Sequence, residues 1–271
     1  MISSAAIAAI VFTLLICFGI PIALAIWFYR KELYAKVALF VGAAVFLVSQ
    51  VFIRIPLLNV ASGMAWYQQM AANLFLIALF LSLTAGIFEE VGRYLGFRFF
   101  LKKHLTWKNG VAFGIGHGGI EAIALTGFLY INNLVYSVLI NTGAFTETIA
   151  PRVGSEMAAY IQNQLLNVPP YMFAVAGLER VFTIIIHIAL SLVVLKALIE
   201  KRPVFIIYAI LLHTIVNLPA VLITGLGYNV LFAELYLFVL AVFGWWYVSH
   251  SRAVLSTETG ETARTVEPAG E

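Results

Sequence analysis

Seven long apolar stretches run through the sequence, and their length restricts what this chain can fold into. A helix that crosses the hydrocarbon core of a bilayer needs about 20 predominantly apolar residues. Within lipid, only helices and closed barrels satisfy their backbone hydrogen bonds internally. The sequence therefore predicts an all-α, polytopic bundle of about seven transmembrane helices, at residues 4–28, 35–55, 69–91, 109–140, 171–199, 203–224 and 228–248. The fourth stretch exceeds one crossing, so a split within it would give eight helices.

The composition supports a multi-pass membrane protein. Hydrophobic residues make up 62% of the chain and charged residues 11%, whereas a soluble domain carries about 25% charged residues. The single cysteine, Cys17, excludes an intramolecular disulfide framework. We therefore expect a lipid bilayer around the chain, in the plasma membrane of a bacterium, and no nucleic-acid partner.

The distribution of basic residues predicts the orientation, because loops rich in Lys and Arg stay on the cytoplasmic side. All but three of the 16 Lys and Arg residues lie near or after the end of an odd-numbered predicted span; the exceptions are Arg54, Arg152 and Arg180. This pattern predicts an N-terminus outside and a C-terminus inside. Residues 1–248 are expected to form one transmembrane helical domain, and residues 249–271 a polar, disordered cytoplasmic tail.

Three charged residues fall together at the end of the third predicted span, in the stretch GIFEEVGRYLGF. A charge at the centre of a membrane helix costs about 2.5–3.5 kcal/mol on insertion scales, and such residues are usually functional. Helical spacing allows both Glu89 and Glu90 to face Arg93. A desolvated glutamate of this kind can act as a general acid or base. The alternative interpretation is an ion pair at the helix end.

Two further pairs of polar residues have a spacing of four within predicted spans. His117 and Glu121 share a helix face, in a run of glycines that indicates close helix packing or substrate access. His213 and Asn217 also project together, which resembles an oxyanion-stabilising arrangement. Structural hydrogen bonds are the alternative for both pairs. Together with the glutamates, these residues are expected to converge in the inner half of the bilayer.

The fifth predicted span carries its own polar residues, in the stretch GLERVFTIIIH. Glu179 and Arg180 enter the span, and His187 follows about two turns later. We expect these three residues, like Glu121, to have a structural or supporting role.

Three short motifs, taken in their order along the chain, resemble those of a known protein family. EEVGR with Glu89 and Arg93, FGIGH ending at His117, and HTIVN from His213 to Asn217 resemble the motifs of the CAAX-protease and bacteriocin-processing (CPBP) superfamily of intramembrane proteases. The resemblance covers about residues 70–225 and is strongest to the YhfC-type membrane peptidases, which the segment GLERVFTIIIH supports. One departure is the spacing between the glutamate pair and the arginine, which is two residues here and usually three in the superfamily.

The resemblance implies an intramembrane endopeptidase of the glutamate type. Glu89 with His117 would activate a water molecule, His213 and Asn217 would stabilise the oxyanion, and Arg93 would orient the glutamates; the altered spacing leaves Glu90 as an alternative base. The substrate would be a peptide or a membrane protein. No cofactor is expected on this reading, and the sequence gives no sign of an oligomeric state.

Two alternatives compete with the glutamate mechanism. A zinc-dependent protease would use His117, His213 and Glu90 as ligands, although the sequence lacks a His-Glu-x-x-His helix. A non-catalytic transporter or peptide-binding protein would also place acids and histidines inside the membrane. The sequence shows no internal repeat, which is a common feature of secondary transporters.

Overall fold

The computed structural model describes residues 1–31 and 33–258, and all regular structure in this part of the chain is helical. Seven helices are long and apolar enough to cross a membrane. From first to seventh, these spans are Ser4–Arg30, Tyr34–Ser62, Leu74–Phe100, Trp107–Thr142, Pro170–Ile199, Val204–Gly225 and Val230–Leu255. The predicted all-α, multi-pass membrane protein is therefore confirmed, whereas the orientation of its termini stays a prediction.

The second and third spans reach further than the sequence predicted. The third span begins where the Asn73 side chain accepts a hydrogen bond from the backbone N–H of Leu76 at 3.1 Å. It continues to Phe100, so Glu89 lies well inside a helix and not at its end. The second span continues past residue 55 to Ser62, so Arg54, which is next to the end of the predicted span, lies inside a helix.

The fourth span stays one continuous helical segment. It consists of the α-helix Trp107–Glu121, a π-helical segment Ala122–Gly127 and the α-helix Phe128–Thr142. The glycines in its first half do not divide it, so the described residues contain seven candidate spans and not eight. Two further π-helical segments occur at Leu15–Gly19 and Leu47–Arg54; such segments are often found at functional sites.

Shorter helices and one extension complete the helical structure. Ala65–Ala71 lies between the second and third spans, and the polar stretch after the fourth span forms Phe145–Val153 and Ser155–Asn167. The last helix runs on to Glu258. The tail predicted from residue 249 therefore begins as helix, since Leu255 is buried at 1% exposure. Residues 259–271 of that predicted tail lie outside the described residues.

The chain forms two compact units, and the single helical domain over 1–248 stays a prediction. The first unit consists of Met1–Ile22 and Ala122–Val181. Its core brings Ile10 together with Tyr130 and Phe173, and the Thr13 hydroxyl donates a hydrogen bond to the Phe173 carbonyl at 2.5 Å. The second unit consists of Ala23–Glu121 and Phe182–Glu271.

Glycines set the helix packing of the second unit. A Cβ added at Gly116 would collide with the backbone carbonyl of Leu39 in the second span. A Cβ at Gly114 would lie 2.5 Å from the Cα of Ile188 in the fifth span. Gly86 allows a similar approach of the third span to the sixth. Small residues permit such close backbone contact in lipid, so the glycines around His117 serve helix packing.

Candidate metal centre

Four spans of the second unit present polar side chains at a similar depth. Glu89, His117, His187 and His213 lie nine to twelve residues from the ends of their spans at Phe100, Trp107, Ile199 and Val204. A rise of 1.5 Å per residue places them roughly 14–18 Å from those ends. Short connections join these ends in pairs, third to fourth and fifth to sixth. The four side chains can therefore meet near the middle of a hydrocarbon core about 30 Å thick.

Glu89 is the centre of this cluster. Its Oε2 lies 3.0 Å from His117 Nε2 and 3.3 Å from Arg93 Nη2. The same oxygen is 3.9 Å from His187 Nδ1. Glu89 is 4% exposed, and both Arg93 and His117 are fully buried. The carboxylate predicted from the stretch GIFEEVGRYLGF thus lies close to imidazoles from two other spans.

Glu89, His117 and His187 together form a possible ligand set for a metal ion. One donor atom from each lies within 4.8 Å of the other two, and all three residues are buried. A carboxylate with two imidazoles is a ligand set of catalytic zinc, which keeps one further position open. This set differs from the one proposed from the sequence, because His187 takes the place of His213 and Glu89 takes the place of Glu90.

The hydrogen bonds of His187 fit the role of a ligand. Its Nδ1 lies 2.6 Å from Arg93 Nη2. Since a guanidinium only donates, Nδ1 carries the lone pair and Nε2 carries the proton. Nε2 lies at an ion-pair distance of 2.6 Å from Glu121 Oε2. Histidine ligands usually donate their second ring nitrogen to such a carboxylate. The supporting role predicted for Glu121 therefore has a specific geometry here, as the partner of His187.

The charges of the cluster, which are buried or half-buried, also fit a cation. Glu89, Glu90 and Glu121 bring three carboxylates, and Arg93 is the guanidinium in direct contact with two of them. With neutral histidines, an excess of two negative charges remains, and it falls to one if the more distant Arg54 is counted. Buried charges require pairing or a metal, so the residues present match a divalent cation.

His213 and Glu90 form a pair beside the three candidate ligands. His213 Nδ1 lies 2.7 Å from Glu90 Oε1, and its Nε2 is 3.7 Å from Glu89 Oε1. Arg93 Nη1 is 3.6 Å from Glu90 Oε1. Within the described residues, the buried Oε2 of Glu90 has no hydrogen-bond partner. The ring of His213 therefore spans the space between the two glutamates.

Three of the predicted site residues do not join this cluster of contacts. Asn217 is half-buried, and its side chain forms no hydrogen bond within residues 1–31 and 33–258. Glu179 and Arg180 belong to the first unit and form an ion pair with each other. In the GLERVFTIIIH stretch, His187 contacts Glu89 of the third span.

Two residues that contact the cluster were not predicted from the sequence. Gln50 is buried and donates a hydrogen bond from Nε2 to Glu89 Oε1. Arg54 Nη1 donates to Gln50 Oε1 at 3.0 Å. Both lie on the π-helical segment Leu47–Arg54. The available signal was an amide and a guanidinium, four residues apart, at the end of an apolar run.

The fold and the site define a class: a multi-pass helical membrane protein with a buried Glu/His/His donor set. The model of the family described as "YhfC intramembrane metalloprotease" matches residues 14–237. The chain belongs to this family. It is 39% identical over 233 residues to the membrane protein YhfC of Bacillus subtilis (strain 168), which covers 82% of this chain and 86% of the relative. No solved structure matches the chain.

The family corrects one prediction and agrees with others. The expectation of no cofactor is wrong, because the family is described as a metalloprotease and the structure holds a buried Glu/His/His group that could bind a metal. The predicted YhfC family and the predicted membrane location are confirmed. The predicted class of enzyme, an intramembrane protease, agrees with the family description.

Proposed function

We propose that the protein is a metal-dependent intramembrane endopeptidase whose ion is held by Glu89, His117 and His187. The observation that carries this proposal is the meeting of these three buried donors within 4.8 Å of one another. A zinc ion in such a site polarises a carbonyl group and makes a water molecule more acidic. The site lies deep in the spans, so the peptide bond that reaches it belongs to a membrane-embedded segment of the substrate.

His213 is the proposed general base of the reaction. Its Nδ1 lies 2.7 Å from Glu90 Oε1, and we assign the Nδ1 proton to this contact. The lone pair is then on Nε2, which is the nitrogen on the side of Glu89. A buried carboxylate that fixes the tautomer of a catalytic histidine in this way is the arrangement of the serine-protease triad. Glu90 thus orients the base.

The proton transfers follow from this assignment. As a water molecule attacks the scissile carbonyl carbon, one of its protons moves to Nε2 of His213. The resulting imidazolium sits beside Glu90, which stabilises the positive charge. Nε2 then returns the proton to the leaving amide nitrogen when the C–N bond breaks. The products are one chain that ends in a carboxyl group, which keeps the second proton of the water until it ionises, and one that begins with an amine.

Asn217 and the wider kinship of the chain are further parts of this proposal. Asn217 lies one turn beyond His213 on the sixth span, and its unpaired amide is the proposed donor to the oxyanion. Membership of the CPBP superfamily is supported by the three sequence motifs, because His117 and His213 lie 3.0 Å and 3.7 Å from the carboxylate oxygens of Glu89.

Removal of the metal provides the direct test of this function. Protein purified in detergent is expected to contain about one zinc or similar divalent ion per chain, and a chelator is expected to stop hydrolysis of single-span model substrates in liposomes. Added zinc should restore cleavage, since the ligands remain in place. Elemental analysis and mass spectrometry of the products provide the measurements. Full cleavage by metal-free protein would refute the proposal.

A variant of the proposed base separates chemistry from metal binding. His213→Ala is expected to lower kcat by about 10²–10⁴-fold, the usual contribution of a general base. It should keep its zinc, because His213 is not among the three proposed ligands. His250→Ala is the matched control, since His250 is exposed and bonds only to the backbone of its own helix. Loss of zinc from His213→Ala would make His213 a ligand instead.

A further inference from the structure

Glu89 is held by more than the groups of the proposed metal centre. Its Oε2 faces His117 and His187, whereas its Oε1 accepts a hydrogen bond from Gln50. Gln50 is 4% exposed and lies on the π-helical segment of the second span. A π-helical segment changes the direction in which its side chains project. This segment therefore directs the Gln50 amide at the carboxylate of Glu89, which lies next to the other two candidate ligands.

Arg54 fixes the orientation of the Gln50 amide. Its Nη1 donates to Gln50 Oε1 at 3.0 Å. Because a guanidinium only donates hydrogen bonds, the amide oxygen must face Arg54, and the amide nitrogen must face Glu89. The Arg54 side chain is itself held by the carbonyl of Leu81 at 2.6 Å and by the hydroxyl of Thr84 at 3.2 Å. Both of these acceptors lie on the third span, which also carries Glu89.

We propose that Gln50 and Arg54 form a positioning relay that holds the Glu89 carboxylate for metal binding. The relay holds Oε1 and thereby directs Oε2 towards the two imidazoles, where the three residues would share a metal ion. It also ties the second span to the third at the depth of the site. This inference rests on the proposed metal centre, and it assigns to the pair a role that acts through Glu89 and not on the substrate.

The relay predicts a specific pattern of metal affinity. Gln50→Met keeps the length of the side chain and removes its hydrogen bonds, and it is expected to weaken zinc binding about 10–100-fold, the usual effect of losing such an outer partner. Arg54→Met is expected to cause a smaller loss, because the Gln50 amide can then rotate. In the Gln50→Met background, Arg54→Met should cause no further loss, since the two residues act in series.

Zinc competition with a chromophoric chelator in detergent measures these affinities. The visible spectrum of the cobalt-substituted protein provides a second readout, because it reports the geometry around the ion, and Gln50→Met is expected to change it. Ser49→Ala is the matched control on the same helical segment, since the Ser49 hydroxyl donates only to the Phe46 carbonyl. Far-ultraviolet circular dichroism confirms that each variant remains helical.

Each outcome of this experiment either supports or overturns the relay of Gln50 and Arg54. Unchanged zinc affinity and an unchanged cobalt spectrum in Gln50→Met would overturn the relay and leave the metal centre intact. Additive losses in the double variant would also overturn it, because the residues would then act separately. If Gln50→Met fails to fold, Arg54→Met alone must still weaken binding, and wild-type affinity in that variant rejects the relay. A wild-type protein that binds neither zinc nor cobalt would overturn the relay together with the proposed function.

Discussion

Glu89→Gln is expected to remove both the bound metal and the proteolytic activity. Glu89 is the carboxylate among the three candidate ligands, and its Oε2 lies 3.0 Å from His117 Nε2 and 3.9 Å from His187 Nδ1. Loss of an outer partner of a ligand costs 10–100-fold in metal affinity, so loss of the carboxylate ligand should cost more than about 100-fold. Hydrolysis of a model substrate should fall to the background rate.

The same substitution should leave the metal-free protein at least as stable as the wild type. Gln has almost the shape of Glu, so the packing around it is retained. The substitution also removes one charge from a cluster in which carboxylates outnumber guanidinium groups. Opposite effects on function and stability are typical of residues selected for activity. Thermal unfolding in the presence of a chelator measures this second effect.

Glu156→Gln is the matched control for this experiment. Glu156 is exposed and lies on the helix Ser155–Asn167, outside the spans. The same chemical change there should alter neither zinc content nor cleavage. If Glu89→Gln retained its zinc and its activity, Glu89 would not be a ligand, and the proposed centre would be wrong. A variant that kept its zinc and lost only its activity would instead give Glu89 a role in the chemistry.

The helices and the polar residues were largely predictable from the sequence because lipid imposes strict conditions on both. The length of an apolar stretch identifies a span, and a charged residue inside a span is usually functional because its burial in lipid is costly. The same logic singled out Glu89 and His117, which the structure brings to 3.0 Å from each other. Sequence spacing also placed Glu89 and Arg93 on one helix face, where they form an ion pair.

The composition of the cluster was harder to predict because it depends on the rotation of separate helices. His187 has no charged neighbour within four residues that would mark its face, and its contacts with Glu89 and Glu121 are long-range. The proposed metal set therefore named His213 instead. Gln50 was missed for a related reason, since the π-helical segment that carries it departs from the 3.6-residue repeat on which face predictions rest.

Arg93→Met is expected to destabilise the metal-free protein strongly. Arg93 is fully buried, and its guanidinium lies 3.3 Å from a carboxylate oxygen of Glu89 and 3.6 Å from one of Glu90. Removing one partner of a buried ion pair costs about 3–5 kcal/mol, because the remaining charge is left uncompensated. Here two carboxylates lose their partner. The free energy of unfolding in detergent, measured with a chelator present, should fall by this amount.

Arg98→Met shows what the loss of a charge alone does. Arg98 is exposed on the same helix, and it bonds to the Tyr94 hydroxyl at 3.0 Å. Exposed substitutions usually change stability by no more than about 0.5 kcal/mol. A similar small effect in Arg93→Met would mean that the glutamates are neutral in the folded protein, and the argument from excess charge would fail.

Arg93→Met is expected to strengthen metal binding, although it destabilises the metal-free protein. Arg93 Nη2 contacts both Glu89 Oε2 and His187 Nδ1, so it competes with a metal ion for two of the three ligands. The variant should therefore bind zinc more tightly than the wild type, and saturating zinc should restore its stability, by about 4 kcal/mol at 1,000 times the dissociation constant. Weaker zinc binding would instead make Arg93 an orienting partner of Glu89, as the sequence resemblance implied. The sign of this one change in affinity thus decides whether the guanidinium competes with the metal or prepares its site.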